Sequence, residues 1–415
     1  MKQKIQLSLL IIFLFHTLTG CSIQNTPEST DYSANGKLHC GYFYQEDKLN
    51  LTTKEHFMES ESWNPIAFDY ICQDITCNHK GVKCEAGFIA STDIFREDVE
   101  RTGENIFSFE YNGKRIIVDT YLDECITEQQ EMMQEWKMLY KTDIYKANQD
   151  GSNRKLILSF DGGINSTAGA NSAVLYNGKL YLGGIMNMTA MAKQNEKTKM
   201  IEALETYIDH AFYEIDMSTY EVKAIGKENC LLDGGYSYQV FQEGDWIYFI
   251  RYSSLNQKAD WYVINNITGE SRNIISFESE TPYIEGIIDD CIIAYKGNEL
   301  YLYNWLEKDT MDMIYKSEDE NLIASVLEDE IWVATDKSFD KGNDYIEYIV
   351  LDKNGNVIRN NYYSEYITFL EVMGERVVYL KPLTEGIEEW WCDWDQVETL
   401  EGSTYIGTFF GMDME

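Results

Sequence analysis

Short runs of alternating apolar and polar residues recur along most of this chain, and residues typical of tight turns separate them. In the first clear repeat, 107–111 and 115–118 alternate on either side of Asn112, Gly113 and Lys114. Asn-Gly between two alternating runs is the strongest short-range signal for a β-hairpin, because both central residues need a positive φ. The pattern therefore predicts a chain built from two-stranded hairpins.

Five further hairpins of the same kind follow along the chain. Their turns lie at Asn177-Gly178, Glu243-Gly244, Asp289-Asp290, Glu328-Asp329 and Met373-Gly374. Each hairpin is followed by an aromatic-rich run, and most of these runs lead into a second turn. Four short strands per unit of about 40 to 60 residues is the period of a β-propeller.

This repeat predicts an all-β fold, a β-propeller with seven blades and two short helical insertions. Six units follow from about residue 85 onward, and a seventh, degenerate unit is expected at 37–84. Six or eight blades, and a pair of β-sandwiches, remain open as alternatives. Most of the 30 tyrosines are expected in strands and between blades, where aromatic residues are favoured.

The helical insertions are expected between the second and third strands of two neighbouring units, at 123–141 and 186–209. Both segments carry methionines at near-helical spacing, which predicts short amphipathic helices. Connections of this kind emerge on one face of a propeller, and methionine adapts to irregular apolar partners. The alternative is that the two helices only pack against each other. The candidate binding residues are Met132, Met133, Trp136, Met191 and Met200.

The first residues of the chain follow the pattern of a secretory signal. Lys2 and Lys4 precede an apolar run at 7–15, and a small-residue pair then leads into Cys21. The apolar run is shorter than the roughly 20 residues that a membrane-spanning helix needs. A lipid-modified Cys21 is therefore favoured over a transmembrane anchor.

Three segments are expected on this basis: a lipoprotein signal peptide at 1–20, a lipidated cysteine with a flexible tether at 21–36, and a β-propeller domain at 37–415. The tether is inferred from its polar, unpatterned sequence. Acyl chains on Cys21 would hold the protein at the extracytoplasmic face of the cell membrane, since each buried methylene contributes about 0.8 kcal/mol.

The charge balance narrows the expected partners. The sequence has 34 basic and 70 acidic residues, for a net charge of −36. A field of that sign repels nucleic acid and anionic lipid headgroups, so no nucleic-acid partner is expected. The remaining expected partners are the membrane, through the N-terminal lipid, and a peptide, glycan or protein that the sequence does not identify.

Three thiols and one imidazole lie close together in the sequence: Cys72, Cys77, His79 and Cys84. Their number and type suit a tetrahedral zinc site, although their spacing differs from the usual one. Disulfide formation is the rival in an exported chain, because eight cysteines remain once Cys21 is lipidated and can pair fully. Zinc, disulfides and free thiols all stay open here.

This cluster also carries a resemblance to a known group. The C-x4-C-x-H-x4-C spacing from Cys72 to Cys84, with Ala86 two residues later, follows a lipoprotein signal and precedes propeller-like units. In this it resembles a group of lipoproteins from anaerobic Firmicutes, although the proline usual in their first gap is absent. The resemblance implies a six- to eight-bladed, broadly TolB-like propeller and no established activity.

Sequence motifs for common catalytic sites are absent. There is no Gly-x-Ser-x-Gly, no His-Glu-x-x-His, no phosphate-binding loop and no dinucleotide fingerprint. The preferred interpretation is a surface-anchored module that binds a peptide, glycan or partner protein without catalysis. The alternative is a surface polysaccharide hydrolase or lyase that uses carboxylates in the propeller channel.

Overall fold

The fold is given by a computed structural model, which describes the following residues: 35–39, 42–45, 48–51, 68–69, 105–130, 133–149, 151, 153–164, 173–194, 201–231, 236–253, 258–277, 283–306, 311–318, 322–335, 346–365, 367–373, 375–382 and 387–409. Within these ranges the structure consists of 29 strands and a single 3₁₀ turn at Trp394–Gln396. The expectation of an all-β protein is confirmed.

The first thirteen strands form one large sheet. They are β1 (Gly36–His39), β2 (Tyr42–Gln45), β3 (Lys48–Leu51), β4 (Phe68–Asp69), β5 (Asn105–Tyr111), β6 (Lys114–Gln130), β7 (Met133–Ala147), β8 (Lys155–Asp161), β9 (Gly163–Ile164), β10 (Ala173–Tyr176), β11 (Lys179–Gln194), β12 (Ile201–Asp216) and β13 (Val222–Leu231). Within this sheet, β5–β8 and β10–β13 are each a four-stranded antiparallel meander.

Four separate four-stranded antiparallel sheets follow, which we call blades I to IV. Blade I is β14 (Tyr236–Glu243), β15 (Trp246–Ser253), β16 (Lys258–Asn265) and β17 (Ser271–Phe277). Blade II is β18 (Tyr283–Ile288), β19 (Cys291–Lys296), β20 (Glu299–Tyr303) and β21 (Met311–Lys316). Blade III is β22 (Leu322–Leu327), β23 (Glu330–Thr335), β24 (Ile346–Leu351) and β25 (Val357–Tyr363). Blade IV is β26 (Thr368–Met373), β27 (Arg376–Pro382), β28 (Ile387–Asp393) and β29 (Thr404–Phe409).

The hairpin turns adopt the conformation that their sequences predict. Asn112 and Gly113 have φ of 51° and 65°, and Asn177 and Gly178 have φ of 48° and 73°. These are the left-handed values that a tight hairpin turn requires. Each Asn-Gly pair therefore joins the first two strands of its meander.

Successive sheets are arranged as in a β-propeller. The first strand of each unit contacts the first strand of the next, in the order β10, β14, β18, β22 and β26. Apolar side chains fill the space between neighbouring sheets. Between blades III and IV, for example, the fully buried Trp332 meets Phe369 edge-on, with ring centroids 5.0 Å apart. The propeller arrangement is thus confirmed.

Buried tyrosines tie neighbouring sheets together through their hydroxyl groups. Tyr181 of β11 donates to Asn266 Oδ1 of blade I at 2.6 Å. Tyr348 of blade III likewise donates to the backbone carbonyl oxygen of Ile367, just before blade IV, at 3.0 Å. Each ring adds apolar area between two sheets while its polar end is paired. This is the inter-blade use of tyrosine that the sequence predicts.

The predicted count of seven blades is not what the described residues show. They form four separate blades, and the two meanders before them are fused into the large sheet. The expected degenerate unit at 37–84 is described only in part. Its strands β1, β2 and β3 form a small meander, and β1 pairs with β10 and so extends the large sheet.

The two predicted helical insertions are wrong. The described parts of 123–141 and 186–209 are strands throughout, as the outer parts of β6, β7, β11 and β12. Each hairpin simply continues beyond its blade, and β7 then pairs with β11 along seven consecutive positions. That pairing supplies a backbone hydrogen-bond ladder across the two hairpins, which a local helical pattern cannot anticipate.

One close contact between first strands can be tested. A Cβ placed on Gly286 of β18 would lie 2.8 Å from Cβ of Val326 on β22. Valine is stiff and cannot turn away, so Gly286→Ala should lower the free energy of unfolding by about 1–3 kcal/mol. Denaturant unfolding measures this change. Val326→Gly removes the Cβ atom that the added methyl group would meet, so in the double variant the cost of Gly286→Ala should fall; equal costs in both backgrounds would contradict the contact.

Candidate functional site

The extended hairpins combine into a second structural feature beside the blades. The outer parts of β6 and β7 form one hairpin, and the outer parts of β11 and β12 form the other. Pairing of β7 with β11 joins the hairpins, and β13 continues the sheet beyond β12. We call this five-stranded surface the side sheet; it comprises 121–130, 133–140, 187–194, 201–209 and 229–231.

Cross-strand register sorts the residues of the side sheet into two faces, since directly paired residues point to the same side. One row runs from Cys125 to Met138, then to Met188 and Ile208, each being the direct partner of the one before. The next row on that side has Trp136 at its centre. We call this side the apolar face; its members are Cys125, Thr127, Trp136, Met138, Met188, Ala190, Thr206 and Ile208.

Burial on the apolar face decreases away from the propeller and towards β6. Ile208 is only 2% exposed and belongs to the hydrophobic cluster that joins the large sheet to blade I. Met188 packs against the same cluster and is half-buried, as are Met138 and Trp136. Cys125 on the outermost strand is exposed. The apolar face is therefore rich in sulfur. It is fixed to the propeller at Ile208, and it is accessible to solvent along β6.

The opposite side of the side sheet, here the polar face, has a different character. Glu128 pairs with Glu135, which in turn pairs with Met191, and Lys137 pairs with Thr189 on the same side. Both glutamates and the lysine are exposed. Ile126, the direct partner of Lys137, is 37% exposed on the same face, so this face is mixed. Its charged side chains keep it hydrated, and the face without exposed charges is the candidate contact surface.

The five candidate binding residues are not brought together. Trp136 lies on the apolar face, whereas Met191 lies on the polar face, because they occupy adjacent cross-strand rows. Of Met133 only the backbone is described, and it pairs with Lys193. Met132 and Met200 lie outside the described residues. A binding role for these five residues stays a prediction.

Residues that the sequence reasoning did not select now carry the apolar face. Met138, Met188 and Cys125 occupy neighbouring positions on three adjacent strands. Part of the signal for Met138 is in the sequence, since Trp136 and Met138 alternate with Glu135 and Lys137 at the two-residue period of a strand, and the apolar Leu139 then interrupts the pattern.

The N-terminal candidates lie outside the described residues: Cys21, Cys72, Cys77, His79 and Cys84. Lipidation at Cys21 and the choice between zinc and disulfides therefore stay predictions. Among the residues that are described, no helix has both the length and the apolar character needed to cross a membrane.

A buried polar cluster fixes the side sheet to blade I. His210, at the point where β12 leaves the propeller, is fully buried, and its Nδ1 lies 2.7 Å from Tyr238 Oη on β14. Burial, and secondarily the nearby Arg251 guanidinium, lower the pKa of His210 to about 3. The imidazole is therefore neutral at physiological pH. Its hydrogen bond to Tyr238 fixes β12 to blade I at the point where the side sheet begins.

This neutral histidine predicts a specific acid sensitivity. An unfolded chain binds a proton on His210 below a pKa of about 6.5, whereas the folded chain does not until about pH 3. Its contribution to stability is thus complete above pH 6.5 and is lost as pH falls. Between pH 7.5 and 5 the free energy of unfolding should fall by about 2 kcal/mol on its account.

Denaturant unfolding at both pH values measures this loss in the parent chain and in His210→Gln. The variant should lack that part of the pH dependence. Tyr238→Phe is the matched control, because it removes the hydrogen bond but keeps the buried imidazole and so should keep the pH dependence. An unchanged dependence in His210→Gln would contradict the assignment.

Comparisons with known proteins find distant similarity to solved structures and to nothing else. No protein-family model and no curated protein sequence matches it. Among solved structures it is similar to TolB from Acinetobacter baumannii, at 12% identity over 65% of this chain and 76% of that one, with a TM-score of 0.29. It is also similar to the β-propeller domain of the Trilobed protease from Pyrococcus furiosus, at 11% identity over 69% and 84% of the two chains, with a TM-score of 0.35.

A third similar structure is an uncharacterized protein from Listeria monocytogenes, at 9% identity over 72% of this chain and 82% of that one, with a TM-score of 0.38. Scores this low carry no argument about activity or ancestry. The class is defined by the strand order within each blade and by the contacts between successive first strands. On those grounds the chain is a β-propeller protein.

Proposed function

We propose that this protein is a lipoprotein, anchored by Cys21 at the extracytoplasmic face of the cell membrane, whose propeller binds a peptide or partner protein without catalysis. The observation that carries the binding role is the apolar face of the side sheet. Trp136, Met138 and Met188 lie there side by side and half-buried, on a surface that projects from the propeller.

A peptide or protein suits this face better than a glycan. Methionine side chains adapt to irregular apolar surfaces, and tryptophan is enriched where proteins contact each other. Sugar recognition needs several polar groups around an aromatic ring, whereas the direct neighbours of Trp136 in its row supply one hydroxyl, from Thr127, and none from Ala190. The hydrogen bond between His210 and Tyr238 fixes the start of the side sheet to blade I. The apolar face is therefore preorganised, which lowers the entropic cost of binding.

Anchoring is supported by the sequence at 1–21 and can be tested separately. Metabolic labelling with a radioactive fatty acid should label the protein, and the label should be lost in Cys21→Ala. Fractionation should find the parent chain with membranes and the variant in the medium or the soluble fraction. A label that survives Cys21→Ala would contradict lipidation at this residue.

The binding role can be tested on paired peptide and glycan arrays probed with the purified full chain. Peptides with apolar side chains should be retained, and Trp136→Ser should weaken their binding about ten-fold or more, as expected for loss of an aromatic anchor. Lys137→Ser, one residue away on the polar face, is the matched control and should bind like the parent chain.

The same arrays can overturn the proposal. Retention on glycans alone would overturn the peptide assignment in favour of glycan binding, and release of products from the glycan spots would favour the polysaccharide hydrolase or lyase interpretation. Equal weakening by Trp136→Ser and Lys137→Ser would show that the side sheet has no preferred face. Circular dichroism and thermal melting of each variant establish that the fold is retained.

A further inference from the structure

The side sheet ends at an open strand edge along β6. Strand β6 pairs with β5 only as far as Thr120, and beyond that point its one partner among the described residues is β7. Every residue from 124 to 128 is exposed, and we call this segment the open edge. An exposed strand edge is a template for pairing with another chain, because its outward N–H and C=O groups have no partner strand.

One backbone hydrogen bond determines the direction of the backbone groups along β7. The carbonyl oxygen of Tyr140 accepts from the backbone N–H of Gly162 at 2.8 Å, so the backbone groups of Tyr140 point away from β6. Backbone groups alternate in direction along a strand, and the pairing of β7 with β11 continues without a register shift. Those of Met138 and Trp136 therefore also point away from β6.

The outward backbone groups of the open edge belong to Cys125 and Thr127. These two residues are the direct partners of Met138 and Trp136, respectively. When one residue of an antiparallel pair turns its backbone groups away from the other, its partner does the same. The N–H and C=O groups of Cys125 and Thr127 therefore face outward, whereas those of Ile126 between them face β7.

The two faces beside the open edge differ in chemistry. Side chains alternate along a strand, so Cys125 and Thr127 lie on the apolar face, whereas Glu124, Ile126 and Glu128 lie on the polar face. The two glutamates are exposed, and the whole chain has a net charge of −36. A strand added here would meet the margin of an apolar surface on one side and carboxylates on the other.

These charges decide between the possible occupants of the open edge. On β7, Glu135 and Lys137 add one charge of each sign to the polar face, so Glu124 and Glu128 leave its margin negative. A second copy that paired through the same edge would bring glutamates close to glutamates, which is unfavourable. A segment with lysine or arginine on that side would form opposite-charge pairs instead.

We propose that the open edge binds an extended peptide segment of alternating apolar and basic residues, which adds to the side sheet as a further strand. The backbone groups of Cys125 and Thr127 pair with the peptide backbone, as in other complexes formed by strand addition. The apolar side chains of the peptide continue the apolar face, and its basic side chains lie beside Glu124 and Glu128. This inference rests on the proposed peptide-binding role and specifies its mode and its peptide class.

The first test is amide hydrogen exchange in the ¹⁵N-labelled full chain, measured by NMR. The probe is a short peptide of alternating valine and lysine, and its control is a peptide of the same composition with all valines before all lysines. In the free chain the amide of Ile126 should be protected, while those of Cys125 and Thr127 exchange fast. The alternating peptide should slow exchange at Cys125 and Thr127 about ten-fold or more, because their amides become hydrogen-bonded.

A proline substitution tests the backbone donor at the open edge. Thr127→Pro removes an N–H that does not bond to β7, a position where an edge strand tolerates proline. It should weaken binding of the alternating peptide about ten-fold or more, since it removes one hydrogen bond and its ring obstructs the added strand. Thr127→Val also changes the side chain but keeps the N–H, so the loss should follow proline and not valine. Fluorescence anisotropy of the labelled peptide measures the affinity.

The charge preference is tested with two glutamate variants. Glu128→Gln should weaken binding about two- to five-fold, as expected for loss of an exposed ion pair, and should reduce the dependence of binding on salt. Glu270→Gln makes the same change at an exposed residue of blade I and should bind like the parent chain.

Several results would overturn strand addition. A bound peptide that leaves the amides of Cys125 and Thr127 in fast exchange would do so while leaving the recognition role of the apolar face intact. Equal binding of the two peptides, or no binding of either, would also overturn it; failure of every peptide on the arrays would overturn the proposed function as well. Amides protected in the free chain only at high protein concentration would assign the open edge to a second copy.

Thermal melting checks the fold of each variant. If Thr127→Pro fails to fold, the exchange measurement decides, because it uses the parent chain alone.

Discussion

The need to bury both faces of each four-stranded sheet governs the architecture of this protein. A single blade of short strands has two apolar faces and cannot cover them alone, so each sheet must lie against the next. The contact between Gly286 and Val326 shows how closely the first strands approach, since even one added carbon atom at Gly286 would meet its neighbour. Inter-blade tyrosines such as Tyr181 satisfy the same requirement while pairing their hydroxyl groups across the boundary.

The side sheet begins where the two meanders β5–β8 and β10–β13 stop stacking face to face and pair edge to edge instead. Inside the propeller, the meanders β5–β8 and β10–β13 share the apolar cluster between them, as stacked blades do. Farther out, β7 and β11 leave their blades and pair edge to edge. Register shifts in β6, β11 and β12 mark this transition, and His210 lies at the one in β12. A β-bulge increases local twist, which is the change a strand needs to turn from one partner to another. The proposed recognition surface depends on this transition.

Local sequence explains much of the fold and little of the side sheet. Hairpins at Asn112-Gly113 and Asn177-Gly178 are as predicted, because those residue pairs favour the positive φ values of the turn wherever they occur. The segments around Met138 and Met188 predict helices by sequence alone, because methionine and tryptophan there also match a period near 3.6 residues. Short segments often fit both periods, and the partner strand decides between them. The two segments lie about fifty residues apart, and nothing in either one specifies that the other is its neighbour.

The sequence by itself determined the strand-and-turn repeat, the tyrosine-rich character of the blade contacts and the signal-like N-terminal pattern, because each depends on residues adjacent in the chain. The tertiary structure decided that Trp136 and Met191 lie on opposite faces, that Cys125, Met138 and Met188 share one, and that, among the described residues, four blades stand apart from a thirteen-stranded sheet. Those outcomes depend on cross-strand register, where a shift of one residue exchanges the two faces of a strand. Register between distant hairpins is set by the packing of whole sheets, and no local sequence pattern specifies it.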